Sequence, residues 1–193
     1  MKIKDITLSK ENRDKFNIPT SGDVTIPGFV TDSDTGELCR ITKLGRDLFG
    51  RQDDYQPILN VTSVIVPPTV IEISPYCFAC LSTLSEIILP DSVKTVGNRA
   101  FYLCESLVDV KLPETLEEIG TGAFQSCHEL NSIDIPRSVK KIGAYAFAEC
   151  YILEYVKVPS TVEYVGEDAF RHVPHIYYHG NLPGAPWGAR SMN

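Results

Sequence analysis

The apolar residues of this chain recur at one fixed interval over most of its length. Between about residues 61 and 170, prolines, glycines, alanines, phenylalanines, cysteines and leucines form columns that return every 23 positions. The proline column stands at 67, 90, 113, 136 and 159, and the phenylalanine column at 78, 101, 124, 147 and 170. A fixed period of this size is the sequence signature of an architecture built from stacked repeats.

Each unit begins with the pattern of a short strand. In the unit at residues 107–127, Val110 and Leu112 alternate with other positions, so both side chains point to one face of the strand. Pro113 ends the strand, because proline cannot donate to a sheet ladder. A second short extended segment follows, and Gly120 permits a tight bend after it.

The unit ends with the pattern of a short helical turn, in which Ala123, Phe124 and Cys127 share one face. A unit of this length cannot bury its own apolar face. Successive units must therefore stack, with their strands pairing in parallel about 4.8 Å apart. The predicted fold is an α/β repeat solenoid in which the repeated phenylalanines form one interior row.

The two ends of the chain follow the repeat less closely. The first coil contains additional residues, which we predict to form a hairpin at 29–41 and a longer loop at 50–59. We predict a last strand around Tyr177. The predicted organisation is an N-terminal segment or cap at 1–21, a solenoid at 22–179 and a C-terminal cap or tail at 180–193.

Composition and charge narrow the classes of partner. Hydrophobic residues make up 43% of the chain and charged residues 22%, with a net charge of −7. An acidic chain argues against a nucleic-acid partner, because phosphate binding needs a basic surface. No run of apolar residues approaches the length of about 20 residues that a membrane helix needs. Residues 1–15 are charged throughout and lack the apolar core of a secretory signal. We expect a mature or trimmed chain, or else a cytoplasmic protein, and a monomer.

The repeated motif V-x-x-I-G-x-x-A-F-x-x-C-x-x-L-x-x-I-x-I-P resembles the BspA-type leucine-rich-repeat family. It is present as residues 139–159, with valine at the last two isoleucine positions. Residues 176–178 and 184–189 are similar to the closing segment of these proteins, and the resemblance covers 22–190. It implies a right-handed curved coil with the parallel sheet on its concave side and short strands and helical turns on its convex side. It also implies a bacterial or protozoan surface or secreted protein that acts in adhesion, with no shared catalytic residues.

The cysteines allow two interpretations. Cys77 and Cys80 have the spacing of a redox or zinc pair, and an even number of cysteines is typical of disulfides. However, Cys104, Cys127 and Cys150 share one column of the repeat, and alanine fills the Cys77 column in the other units. We therefore interpret the cysteines as small buried thiols stacked from coil to coil, as suits a reducing compartment.

Charged positions alternate in sign from one unit to the next. Because neighbouring coils lie about 5 Å apart, such side chains can form cross-strand ion pairs worth a few tenths of a kcal/mol each. These charges are predicted to hold the coils in register rather than to act as catalytic carboxylates. They are Lys94, Glu117, Glu118, Lys140, Lys141 and Glu163 in the second segments, and Lys111, Asp134 and Lys157 in the first strands.

Two polar clusters resemble metal sites only in part. Residues 32–37 place carboxylates before a glycine, as calcium loops do, but the remaining ligand positions do not match, and a polar hairpin turn is favoured. His172, His175 and His179 would meet only on a helix, which Pro174 excludes. We predict no metal and no cofactor.

Aromatic residues gather in the C-terminal third of the chain. Tyr155 and Tyr177 are predicted to face outward from the concave sheet. Exposed aromatic rings are common anchors for proteins and sugars, although they also cover open sheet edges. The aromatic residues of this region are Tyr151, Tyr155, Tyr164, Tyr177, Tyr178 and Trp187.

The sequence lacks the phosphate-binding, nucleophile-elbow, dinucleotide and zinc-protease motifs of common enzymes. We predict no catalytic residues and a protein-binding or adhesion module that uses the concave face. The alternatives are a carbohydrate-binding module that uses Tyr155, Tyr164, Tyr177 and Trp187, and a structural spacer of a larger surface protein. The candidate contact residues are Glu86, Ile88, Asp109, Lys111, Asp134, Tyr155 and Lys157 on the sheet, with Asp53, Asp54 and Tyr55 in a loop.

Overall fold

Short strands dominate the computed structural model, which describes residues 3–49 and 59–192. The predicted contact loop of Asp53, Asp54 and Tyr55 lies outside these residues. The N-terminal elements are β1 (Lys4–Leu8), α1 (Lys10–Arg13), β2 (Gly22–Thr25), β3 (Phe29–Thr31) and β4 (Leu38–Leu44). The repeats contain β5 (Val61–Ile65), β6 (Glu72–Ile73), β7 (Glu86–Ile88), β8 (Thr95–Val96), β9 (Asp109–Lys111), β10 (Glu118–Ile119) and β11 (Lys141–Ile142). The last elements are β12 (Tyr155–Lys157), β13 (Tyr164–Val165), β14 (His175–Tyr177) and β15 (Ser191–Met192).

The strands that precede the proline column form one of two parallel arrays. Strands β2, β5, β7 and β9 pair in that order, and β12, β14 and β15 form the far end. Isolated parallel bridges from Asp109 to Ser132 and from Asp134 to Lys157 connect the two parts. We call this array the front sheet. The middle residue of each strand is buried and its neighbours face outward, as in the e-B-e patterns of β7, β9, β12 and β14.

The strands that follow the proline column form the other array, which we call the second sheet. Its order is β1-β4-β6-β8-β10-β11-β13, and these pairings are parallel. Within it, β3 pairs with β4 in the antiparallel direction, so residues 29–41 form a hairpin. The N-terminal strand β1 extends the second sheet by one coil, and its Leu8 side chain is fully buried. Each regular coil therefore contributes a strand to the second sheet and a strand, or at Ser132 and Asp134 isolated bridges, to the front sheet. This is the repeat solenoid of leucine-rich-repeat type.

The predicted interior row of phenylalanines is confirmed. Neighbouring rings from Phe78 to Phe170 stack with centroid distances of 5.1 to 5.6 Å and interplanar angles of 2° to 8°. The row begins one coil earlier, because Phe49 stacks on Phe78 at 5.6 Å. These rings are at most 1% exposed, so each coil is sealed by its neighbours.

The glycine column has a different physical reason from the bend that the sequence suggested. These glycines lack the positive φ that favours glycine, but the backbone of the preceding coil lies directly against them. A Cβ on Gly143 would lie 2.4 Å from the Thr121 nitrogen, and one on Gly166 would lie 2.2 Å from the Ala144 nitrogen. Glycine is required here because two coils approach more closely than any side chain permits.

The segment around each Ala–Phe pair is a succession of turns rather than a regular helix. Positive φ values at Arg99 (54°) and Leu103 (58°) break the helical path on either side of Phe101. Alternate N–H groups therefore point to the next coil. The donors Arg99, Phe101 and Leu103 reach the carbonyl oxygens of Thr121, Ala123 and Gln125 at 2.8, 2.8 and 3.0 Å. This ladder joins the coils along a third side, in addition to the two sheets.

The C-terminal segment closes the end of the stack. Strand β15 pairs with β14 and extends the front sheet. The Trp187 side chain is 4% exposed and packs against Tyr178 and Phe170, with centroid distances of 5.1 and 6.3 Å. The Phe170 N–H donates to the Trp187 carbonyl oxygen at 3.0 Å. This segment lies at the end of the solenoid and leaves the outer face of the front sheet uncovered, as the exposure of Tyr155 and Tyr177 shows.

Candidate functional site

The outward-facing residues of the front sheet form two parallel columns. The strand register places one residue of each coil in each column. The first column contains Asp23, Ser63, Glu86, Asp109, Ser132, Tyr155 and His175. The second column contains Thr25, Ile65, Ile88, Lys111, Asp134, Lys157 and Tyr177.

A groove of about 1050 Å³ runs across the C-terminal half of this face. We call the lining side chains of the two columns its floor and the lining residues of the loops that follow the strands its rim. The floor residues are Asp109, Lys111, Ser132, Asp134, Lys157 and Tyr177, and the rim includes Glu114, Arg137, Ser160, Thr161 and His179. Outward-facing strand residues and the loops after them thus line one groove on this face.

The structure places the predicted sheet contacts together on this one face. Four of them, Asp109, Lys111, Asp134 and Lys157, line the groove. Tyr155 lies beside the groove in the first column, and Glu86 and Ile88 extend the same face toward the N-terminus. The rim residues Glu114 and Arg137 were not among the predicted contacts. Their position directly after the proline column was the available signal.

The charged side chains of the two sheets differ in their ion pairing. On the second sheet the predicted alternation produces ion pairs: Lys141 Nζ lies 2.8 Å from Glu118 Oε1, and Lys94 Nζ lies 3.3 Å from Glu117 Oε1. On the front sheet, the corresponding pairing is absent from the described residues: no ion pair there includes Lys111, Asp134 or Lys157. Charges on the front sheet are thus available to a partner, whereas those on the second sheet hold the register.

Two exposed tyrosines stand at the C-terminal end of the face. The Tyr155 and Tyr177 rings meet edge to face with centroids 5.8 Å apart, and they are 61% and 41% exposed. Tyr164 is also exposed but lies in β13 of the second sheet. The expectation that Trp187 serves as an exposed anchor is wrong, because its ring is buried in the end cap. The aromatic site therefore reduces to the pair on the front sheet.

Comparison with known proteins decides the family. The BspA type leucine rich repeat region matches residues 52–176 of this chain in six copies. The chain belongs to the BspA-type leucine-rich-repeat family. No curated protein matches it in sequence.

Several solved structures resemble this BspA-type repeat chain. A leucine-rich repeat protein from Bacteroides ovatus shares 33% identity with a TM-score of 0.71, and the match covers 82% of this chain and 42% of that one. The T. pallidum leucine rich repeat protein shares 26% identity with a TM-score of 0.70 over 85% of this chain and 71% of that one. A leucine rich cell surface protein from Faecalibacterium prausnitzii, at 24% identity and a TM-score of 0.59, shares the fold; the match covers 80% of this chain and 46% of that one.

These relatives support a repeat-protein module of a binding or structural kind. The chain spans 42% of the length of the Bacteroides protein, so the match describes the repeat region. Among the described residues, no helix has the length and apolar character needed to cross a bilayer.

The cysteines of the BspA-type repeats are buried free thiols, as interpreted from their columns. The Cys104, Cys127 and Cys150 thiols donate to the carbonyl oxygens of Phe78, Phe101 and Phe124, each at 3.2 Å. Burial raises the pKa of Cys127 well above its usual range and that of Cys150 to about 12. A protonated, enclosed thiol is a poor nucleophile and a poor metal ligand, so this column packs the core.

The two aspartates of residues 32–37 share one cation of the fold. Lys15 Nζ lies 3.0 Å from Asp32 Oδ1 and 2.7 Å from Asp34 Oδ2. This ammonium group, together with the Asp34 and Thr35 N–H groups, lowers the pKa of Asp32 to about 2. Lys15 thus links the segment after α1 to the turn of the hairpin that β3 and β4 form. Within the described ranges, no group of three or more His, Cys, Asp or Glu side chains is arranged to hold a metal ion.

The C-terminal histidines are dispersed, as expected of an end cap. His175 lies in β14, where its Nδ1 is 2.6 Å from Ser191 Oγ of the neighbouring strand. His172 instead stacks on the exposed Tyr151 ring with a centroid distance of 5.8 Å. His179 lies on the rim of the groove. Only His175 and His179 therefore border the candidate binding face.

Proposed function

We propose that this chain is a non-catalytic binding module that recognises a protein partner, as in an adhesive contact, through the outer face of the front sheet. The candidate contacts are Glu86, Ile88, Asp109, Lys111, Asp134, Tyr155 and Lys157. The observation that carries the proposal is the groove of about 1050 Å³ on this face, whose floor holds charged side chains that the described fold does not pair. Stacked repeats commonly bind through such extended concave surfaces.

The surface chemistry of the groove suits recognition of a protein. Asp109, Lys111, Asp134 and Lys157 offer both signs of charge, and Tyr177 adds an exposed ring. Tyrosine contributes strongly to binding energy at interfaces, and patterned charge selects partners and orients them. The same residues suit catalysis poorly, because the groove is broad and its carboxylates alternate with lysines.

The test compares the double variant Tyr155→Ala/Lys157→Ala with the matched control Tyr164→Ala/Lys140→Ala on the second sheet. Each protein is immobilised, and partners are captured from extracts or surface fractions of the source organism and quantified by mass spectrometry. The partner captured by wild type is then purified and its Kd measured. We expect Kd to rise about tenfold or more for the front-sheet variant, because interface anchors each contribute about 1 kcal/mol or more. The control variant should stay within about twofold of wild type.

Melting temperatures accompany these measurements, because both pairs of side chains are exposed and neither variant should unfold the chain. A partner that binds the front-sheet variant as tightly as wild type would exclude this patch. Loss of binding by the control alone would move the interface to the second sheet.

A carbohydrate ligand is the second candidate, and the Tyr155–Tyr177 pair favours it. Their perpendicular rings expose apolar faces beside the groove, and sugar rings stack on such faces. A glycan array with wild type and Tyr177→Ala separates the two candidates. Glycan binding that disappears in Tyr177→Ala supports the sugar site, and an array without bound glycans excludes it.

A further inference from the structure

The N-terminal half of the front sheet places two like charges opposite each other in adjacent strands. Glu86 lies directly opposite Asp109 in the parallel register, and both side chains are exposed. On the second sheet, by contrast, facing charges have opposite signs, as in the pair of Lys43 with Glu72 at 2.6 Å. Like charges that face each other across two strands destabilise a sheet.

The hydroxyl and charged groups near Glu86 and Asp109 do not neutralise these two carboxylates. Asp23, two coils before Glu86, receives hydrogen bonds from the Thr62 and Ser63 hydroxyls at 2.9 and 2.8 Å. Asp109 has the Ser132 hydroxyl at 3.5 Å. Ser132 is uncharged, and in the part of the chain that the structure describes no ion pair includes Glu86 or Asp109. Lys111 is the nearest cation along the strand, two residues beyond Asp109 on the same face.

An exposed apolar row runs beside these acids. Ile65 and Ile88 face each other in the adjacent column and are 44% and 50% exposed. Two residues along a strand separate the columns, a distance of about 7 Å. The surface formed by Ile65, Glu86, Ile88 and Asp109 is thus acidic on one side and apolar on the other, and we call it the acidic–isoleucine strip.

We propose that the acidic–isoleucine strip binds a basic amphipathic segment of a protein partner. Lysine or arginine side chains of that segment approach Glu86 and Asp109, and its apolar side chains cover Ile65 and Ile88. The cations remove the repulsion between the two carboxylates, and the apolar contact takes exposed isoleucine surface out of water. This inference rests on the proposed function and specifies the chemistry of the partner at one end of the face.

The probe is a 12-residue peptide in which lysine and leucine alternate, titrated into the full chain and followed by amide chemical shifts. Peptides with glutamate in place of lysine, or serine in place of leucine, separate the charge contribution from the apolar one. We expect the largest shifts in β5, β7 and β9, and weaker binding of both control peptides. Shifts confined to β12 and β14 would contradict the proposal.

The decisive variant is Glu86→Gln/Asp109→Asn, which keeps the shape of the strip and removes its charge. We expect about tenfold weaker binding of the lysine–leucine peptide, since two exposed ion pairs together account for about a decade in Kd. The matched control Glu37→Gln/Glu105→Gln removes two exposed acids elsewhere and gives the same net charge. It should bind within about twofold of wild type. Equal affinities of the two double variants would overturn the proposal.

The partner captured in the test of the proposed function distinguishes a failure of this inference from a failure of the proposed function. If that partner is lost by Tyr155→Ala/Lys157→Ala but binds Glu86→Gln/Asp109→Asn normally, the face is a binding site and the partner chemistry inferred here is wrong. If it binds both variants normally, the proposed function itself is wrong. Weaker binding to Glu86→Gln/Asp109→Asn supports both.

Discussion

At the scale of single residues, the repeat is constrained most tightly where two coils touch through their backbones. A tight bend was the predicted role of the glycine column, yet Gly97, Gly120, Gly143 and Gly166 have no positive φ. What they share is a neighbour at 2.2 to 2.8 Å from the position of a Cβ. Ser74, in the first regular unit, takes the equivalent position and is almost fully buried. Because Ser74 carries a side chain, the close approach that excludes one begins at Gly97 and continues at the three later glycines.

Replacing Gly143 with alanine should destabilise the chain by about 1–3 kcal/mol, the usual cost of forcing an extra methyl group into a packed interior. The added Cβ would meet the backbone of Gly120 and Thr121, which cannot rotate away as a side chain does. Urea unfolding measures the change. The control is Gly28→Ala, whose Cβ would meet the Thr69 side chain at 3.2 Å, and a smaller loss is expected there. Equal losses in the two variants would show that the general cost of replacing a glycine, not the contact between coils, decides the effect.

At the scale of strands and turns, the sequence was sufficient where one residue type repeats and insufficient where different residues share a role. The phenylalanine row and the strands before each proline follow directly from period and alternation. The turn ladder was not predictable, because the positive φ positions are occupied by Tyr76, Arg99, Gly122, Tyr145 and Asp168 in successive coils. No shared side chain marks this position, and only the stacked backbone requires it.

The alternating charges of the repeat were also insufficient to predict which ion pairs form. Alternation along the sequence predicted cross-coil ion pairs in both sheets, but pairing within the described residues occurs on the second sheet. Alternating sign is necessary for pairing, but the side chains must also approach each other. On the front sheet Lys111, Asp134 and Lys157 instead line the groove. The candidate face could thus be located from its columns, whereas its groove and unpaired charges required coordinates.

The contrast between the sheets predicts opposite effects of the same substitution. Glu86→Gln relieves its repulsion with Asp109 and should raise stability by about 0.2–1 kcal/mol at low salt. Glu118→Gln removes the partner of Lys141, whose pKa the Glu118 carboxylate raises, and should lower stability slightly. Thermal unfolding is measured at about 20 mM and about 500 mM NaCl. The higher salt screens interactions between exposed charges, so the comparison separates charge effects from packing. A loss of stability in Glu86→Gln would mean that this acid supports the fold.

At the scale of the whole molecule, the solenoid divides its roles between sides. The phenylalanine row, the turn ladder and the paired second sheet hold successive coils together, so the front sheet can carry exposed charges and tyrosines without losing the fold. In a stacked architecture each coil contacts its neighbours only, and stability is close to a sum of coil and interface contributions. The ends of such a stack have one neighbour fewer and need a cap.

The cap gives the last prediction. Trp187 is buried against Phe170 and Tyr178 at the C-terminal end of the row, so Trp187→Ala should cost about 3–5 kcal/mol. The exposed Tyr151→Ala is the control and should change stability little. Amide hydrogen exchange then measures which strands are destabilised by Trp187→Ala.

Because coils couple mainly to their neighbours, amides of β14 should lose protection first and most, while those of β5 and β7 keep theirs. Uniform loss along the chain would instead show that the interior row binds the coils into one cooperative unit. In that case a partner bound at the acidic–isoleucine strip would also stabilise the distant cap, because ligand binding raises the stability of every element that unfolds with its site.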